Sequence, residues 1–230
     1  MLSTYRQSRP ALLAAVTAFS LAACGGGAPD AAAPAAAPAT PAPDSAAPAP
    51  AAGPAASASA NLSEGPDVCF KAVSAHLGAD VKVSEIMSSF DPEGRLQVCT
   101  ADYQSPEDPR KLVGVRMDPA SGGFSGPYPI ELSVSGNAAD FRLDDYLIPL
   151  SQVDAAALAQ VMQAQEAELG GTYSSVTWTA VRLVPPGAFS DKHTLRLDME
   201  GRLAANDIKN NGYASVSVDG TTITANHLMP

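Results

Sequence analysis

Three histidines, three cysteines and one short polar run are the places where this chain could hold chemistry. His193 follows Ser190, Asp191 and Lys192, which brings the residue types of a Ser-His-Asp hydrolase into four consecutive positions. Such triads are assembled by the fold rather than by adjacency, and no Gly-x-Ser-x-Gly elbow occurs to lift a serine out of a strand-to-helix turn. The run is therefore expected to be a turn leading into a strand. His76 falls on an expected helix, and His227 lies three residues from the end. No His-Glu-x-x-His pattern and no calcium-loop pattern of alternating acids is present, so no metal and no cofactor is expected. Glu107-Asp108 and Asp144-Asp145 are adjacent acids with nothing to mark them as a glycosidase pair. Catalysis is not expected, and a hydrolase with a dispersed site is the least favoured reading.

The third cysteine sits in a different context. Arg6 and Arg9 precede an apolar stretch from Ala11 to Ala22. That stretch is shorter than the roughly 20 residues a spanning helix needs, and it fits the apolar region of an export signal. It ends in Leu21-Ala22-Ala23-Cys24, which resembles the lipobox of bacterial lipoproteins. The resemblance implies a signal peptide over 1–23 and a mature chain that starts at an acylated Cys24, with palmitate among its chains. Two or more acyl chains anchor stably where one is marginal. Gly25 and Gly26 follow, with none of the Asp that retains enteric lipoproteins in the inner membrane, so the outer membrane is the expected address, with the domain in the periplasm.

After Cys24, from Gly25 to Ala60, the chain is almost entirely Ala, Pro, Gly and Ser, and Asp30 and Asp44 are its only charges. A segment without large apolar side chains cannot offset its ordering entropy, and its prolines favour extended conformations. It is expected to be a disordered tether, reaching about 30 Å as a coil and about 110 Å extended.

Globular composition begins at Asn61. All but two of the 14 Lys and Arg and all but two of the 24 Asp and Glu lie from there on, so the net charge of −10 resides in the folded part. An acidic domain is poorly suited to nucleic acid, whose binding rests on phosphate neutralisation. It suits a basic protein partner, because complementary charge raises the association rate. With Cys24 acylated, Cys69 and Cys99 form an even pair in an exported domain and are expected to make a structural disulfide.

The periodicities predict a helix over 66–77, with Pro66 early and Gly78 as its cap, followed by strands over 81–90, 95–104 and 112–118. Ser121 to Tyr128 reads as a Gly-rich loop whose Phe124 and Tyr128 are candidate partner-binding anchors. Ile130, Leu132 and Val134 alternate, Gly136-Asn137 turns, and Phe141 and Leu143 return as a hairpin. Ser151 is expected to cap a second helix that stops at Gly170-Gly171, with Val153, Ala157, Leu158, Val161, Met162, Gln165 and Leu169 on one stripe. Strands over 173–184 and around Leu195-Met199 follow, the latter turning at Glu200-Gly201. Asp219-Gly220 signals a two-residue type I′ hairpin pairing Val216 with Ile223 and Ala214 with Ala225.

The fold class expected is α+β: two similar helix-plus-antiparallel-sheet units in tandem after the tether, at 61–149 and 150–230. Both contain Glu-Gly-Arg-Leu, at 93–96 and 200–203. Such units resemble the architecture of secreted enzyme inhibitors in general terms. The function expected is a non-enzymatic protein-binding module, an inhibitor or immunity factor against an envelope-acting enzyme. The alternative is a structural or assembly factor of the envelope.

Overall fold

The computed structural model describes residues 60–133, 138–187 and 190–230. The expected signal peptide, Cys24 and the expected tether up to residue 59 lie outside the described residues. What is described belongs to one compact unit, Ala51–Pro230. It is a mixed α+β fold of two helices and a nine-stranded antiparallel sheet. No helix among the described residues is long and apolar enough to cross a membrane.

Helix α1 (Val68–Leu77) is followed by β1 (Lys82–Phe90), β2 (Leu96–Gln104), β3 (Leu112–Met117) and β4 (Phe124–Ile130). The two-residue strand β5 (Ile148–Pro149) pairs with the start of β1. Helix α2 (Leu158–Leu169) then precedes β6 (Tyr173–Val184), β7 (Thr194–Leu203), β8 (Lys209–Val216) and β9 (Ile223–His227). The strand order is β4-β3-β2-β1-β6-β7-β8-β9, so β1 and β6 meet at the centre and join two four-stranded meanders.

Directly paired residues share a face, and this lets the core be traced across the sheet. One row runs Met117, Cys99, Ser88, Val181, Leu197, Ala214 and Asn226 from β3 to β9. A neighbouring row runs Val115, Ala101, Ile86, Leu183, Leu195 and Val216. All these side chains are buried except Asn226. Both helices cover this face: the Cys69–Cys99 disulfide fastens α1 to it at β2, and the Gln165 amide oxygen of α2 accepts a 3.0 Å hydrogen bond from Asn226 at β9. The stripe of α2 buries Leu158, Val161, Met162, Gln165 and Leu169.

Several sequence expectations are corrected here. Helix α1 starts two residues after Pro66. The Gly-rich run is a loop only over 121–123: from Phe124 it forms the start of edge strand β4, which pairs with β3. Its Pro127 and Pro129 are tolerated on an edge, where a missing donor costs no ladder bond. Among the described residues Phe141 and Leu143 form no return strand, since Ala138–Asp140 and Leu143–Tyr146 are 3₁₀ turns, and the expected turn at Gly136-Asn137 lies with Val134 outside the described residues. Ser151 does not cap α2. It lies inside a separate 3₁₀ turn, Leu150–Gln152, with its N–H bonded to the Ala79 carbonyl and its hydroxyl 3.3 Å from Asp80, and α2 begins only at Leu158. Asp154 instead accepts from the Ala157 N–H.

Glu200-Gly201 is not a turn. Strand β7 runs on to Leu203 and reverses through Ala204–Asn206. Gly201 is needed there because the Tyr173 ring occupies the space where a side chain would stand. The two Glu-Gly-Arg-Leu segments consequently hold unlike places, one entering β2 and the other leaving β7. In the last hairpin the Ser217 carbonyl accepts from Gly220, and only Gly220 has a positive φ, of 71°. A type I′ turn would need positive φ at Asp219 as well. Val216 pairs with Ile223 as expected, but Ser215 pairs with Ala225. Thr224 is the extra residue of a bulge, which turns Ala225 away from the helices and Asn226 towards them.

The disulfide is fully buried and closes a separation of 30 residues. Replacing Cys69 and Cys99 with Ala is expected to destabilise the chain by roughly 3–4 kcal/mol. Denaturant titration of parent and variant checks this, and parent protein without denaturant should resist reduction.

Candidate functional site

The face of the sheet away from the helices carries charge and aromatic rings on rigid strands. Its rows are set by the same pairing: Arg116, Thr100, Met87, Arg182, Arg196 and Ser215 in one, and Val98, Ser89, Ala180, Asp198, Tyr213 and His227 in the next. Most of these side chains are half-buried.

At the centre of the C-terminal half, Asp198 is held by two guanidinium groups. Arg182 donates from Nε and Nη2 at 2.9 and 2.6 Å, and Arg196 donates from Nε at 2.8 Å. The Arg196 guanidinium also lies 3.8 Å above the Tyr213 ring centroid, and Tyr213 in turn packs against His227 at 4.7 Å. Cation–π contact and charge-assisted hydrogen bonds thus fix four side chains in one orientation. Further along β7, Glu200 pairs with Lys209 at 2.5 Å.

Across the central seam lies a pair with the opposite character. Glu85 on β1 sits directly opposite Asp102 on β2. Neither carboxylate has a hydrogen bond or ion pair among the described residues. Burial pushes the Asp102 carboxyl above its ordinary range. Glu85 is raised by burial and then by the Asp102 charge, with Arg182 pulling the other way. The face therefore neutralises its acids on β7 and leaves two uncompensated at its middle.

The end of the sheet where β6 passes into β7 adds a cleft of about 830 Å³, lined among others by Ile148, Pro149, Pro186, Ser190, His193 and Val218. A groove of about 340 Å³ shares Ser190, Thr194 and Thr224 with it and extends to Arg196, Tyr213 and His227. The cleft and the charged face are thus contiguous. Ser190 and His193 stand in the same cleft wall, yet their hydrogen bonds do not join them. The Ser190 hydroxyl donates to the Lys192 carbonyl and accepts from its N–H. His193 Nε2 lies 3.2 Å from the Tyr146 carbonyl, and burial lowers its pKa, which favours the neutral ring. No group of three or more metal-ligating side chains occurs among the described residues.

The two aromatics singled out from the sequence part company. Phe124 turns to the helix side, where its ring stacks on His76 of α1 at 4.2 Å and packs against the core. Tyr128 lies on the open face across Gly114, and it is 37 % exposed. The cluster around Asp198 and the Glu85–Asp102 pair were not found from sequence. Their signal was the alternation of polar residues along β1, β2, β6 and β7, which shows a solvent-side face without showing which strands pair.

Two substitutions test this electrostatic description. Because burial raises Glu85 and Asp102, the native state holds their protons more tightly than the unfolded chain. They therefore reduce stability as pH rises from the ordinary carboxylate range through their raised values. Asp102→Asn is expected to stabilise the protein at neutral pH by a few tenths to about 1 kcal/mol. The gain should fade on acidification, as read by thermal melts of parent and variant across pH. Asp198→Asn should cost about 2 kcal/mol, since two arginines lose their charged acceptor.

Compared with protein-family models, with curated proteins and with solved structures, the chain matches none.

Proposed function

We propose that this chain is a lipid-anchored envelope protein acting as a non-enzymatic protein-binding module, with the helix-free face of its sheet as the docking surface. The observation that carries the reading is the Glu85–Asp102 pair, half-buried at the middle of that face without a cation of its own. Lys or Arg of a partner laid on the sheet would neutralise both acids. The folded part's net negative charge would draw such a partner in. The rigid Arg182–Asp198–Arg196–Tyr213 cluster supplies oriented donors and an aromatic surface beside it, the residue types on which interface energy concentrates.

The anchoring part of the reading rests on the Leu21-Ala22-Ala23-Cys24 segment, and the outer membrane with a periplasmic domain is the address proposed from Gly25 and Gly26. The two helix-then-four-strand runs, meeting at β1 and β6, support a tandem arrangement of similar units after the tether. The matching order of elements supports it, and the tetrapeptide does not. A basic envelope enzyme held in check by this surface fits the charge and the architecture.

Capture from envelope extract by the full chain, with mass spectrometry as readout, tests the proposal. The expected result is one dominant basic protein, released as salt is raised and retained at least tenfold less by Asp102→Lys. Capture of a salt-resistant set of assembly proteins, indifferent to that substitution, would overturn it in favour of the structural role. Cys24→Ser should separately move the chain from the membrane fraction to the soluble one and abolish incorporation of labelled palmitate.

A further inference from the structure

The two edges of the sheet are built differently. On β4 the prolines at 127 and 129 remove N–H groups that an added strand would need. On β9, Ile223-Thr224-Ala225-Asn226-His227 contains no proline, lysine, arginine or acid. The bulge at Thr224 is the one irregularity of this edge, and an edge without proline or charge is a template for another strand.

Helix α2 runs beside this edge. Its start meets the hairpin, where Gly220 packs against Ala157, and its middle meets the strand, where Gln165 holds Asn226. Between them is a cavity of about 280 Å³ lined by Ala157, Val161, Ala164, Gly220 and Ile223. Gln165 lines the same cavity and is 7 % exposed. Its amide oxygen is engaged by Asn226, and its amide nitrogen has no acceptor among the described residues. A free strand edge beside an apolar slot is the arrangement that recognises extended peptides. The edge supplies main-chain hydrogen bonds, and the slot selects alternate side chains.

We propose that the groove between α2 and β9 takes an extended segment of a partner protein as a tenth strand. The segment presents an aliphatic side chain to the slot, carries Lys or Arg on its flanks, and offers a carbonyl to Gln165. Charge decides the occupant. A second copy brings the same net charge of −10 to an edge that has no countercharge, and the chain's own tether is rich in prolines, which lack the donors a ladder needs. This site is separate from the helix-free face, and either can fail without the other.

The test pans a displayed library of random heptapeptides on the full chain, then synthesises a selected peptide. Selected sequences should share one aliphatic position with basic neighbours. Ala164→Trp, at an exposed position in the groove, should weaken the peptide at least tenfold, while Ala167→Trp on the same helix and Asp102→Asn on the open face leave it unchanged. Bound peptide should slow amide exchange within 223–227. The proposal is overturned if no peptide is enriched, if Ala164→Trp binds as the parent does, or if protection falls outside β9. It is equally overturned if the chain forms a dimer that Ala164→Trp dissolves, or if a synthetic 25–59 peptide displaces the selected one.

Discussion

The antiparallel pairing of β1 with β6 is the contact on which the rest of the molecule depends. Four residue pairs make it, from Ile86 with Leu183 to Ser89 with Ala180. Ser88 is fully buried at its middle, and its hydroxyl donates to the Val181 carbonyl at 2.7 Å. A buried hydroxyl needs such a partner, so the seam tolerates only the register that provides one. On the helix side, the same register aligns Cys99, Ser88, Val181 and Leu197 into one unbroken core row. On the other side it aligns Thr100, Met87, Arg182 and Arg196.

The electrostatics of the open face follow from that alignment. Arg182 comes from β6 and reaches Asp198 on β7, while its field crosses the seam to Glu85 on β1. A shift of one residue would send Arg182 into the core and Val181 into water, since the side-chain period is two. The acid pair that carries the proposed docking role belongs to the first meander, and the seam adds the Arg182 field that reaches Glu85 from β6. Its two carboxylates are held on adjacent strands by the β1–β2 ladder, and Arg182, the cation whose field reaches Glu85, is already engaged by Asp198. The cost is borne by the free protein and would be recovered when a partner supplies positive charge.

Much of the architecture was legible in the residues. Alternation of Leu195, Leu197 and Met199 and the run from Tyr173 to Val184 located β7 and β6, and the cysteine count located the disulfide. Local signals failed where distant backbone competed for the same groups. Ser151 looked like a helix cap, but a separate 3₁₀ turn holds it, with its hydroxyl directed at Asp80, well before α2 begins. Glu200-Gly201 looked like a turn, but Tyr173 packs on the glycine from a neighbouring strand. Ser121 to Tyr128 looked like a loop because glycine and proline are rare in strands, and an edge strand is the place that accepts them. The candidate site was the least legible part, since cross-strand neighbours such as Glu85 and Asp102 are defined by register alone.

Native-state hydrogen exchange across a denaturant series tests the central claim most directly. If the seam unites the two meanders, amides of Ile86–Ser89 and Ala180–Leu183 should be among the slowest, and the cores of β2 and β7 should open with them at one common free energy. Separate opening of the β6–β9 meander while β1–β3 stay protected, or the reverse, would contradict the account and return the molecule to two independent units.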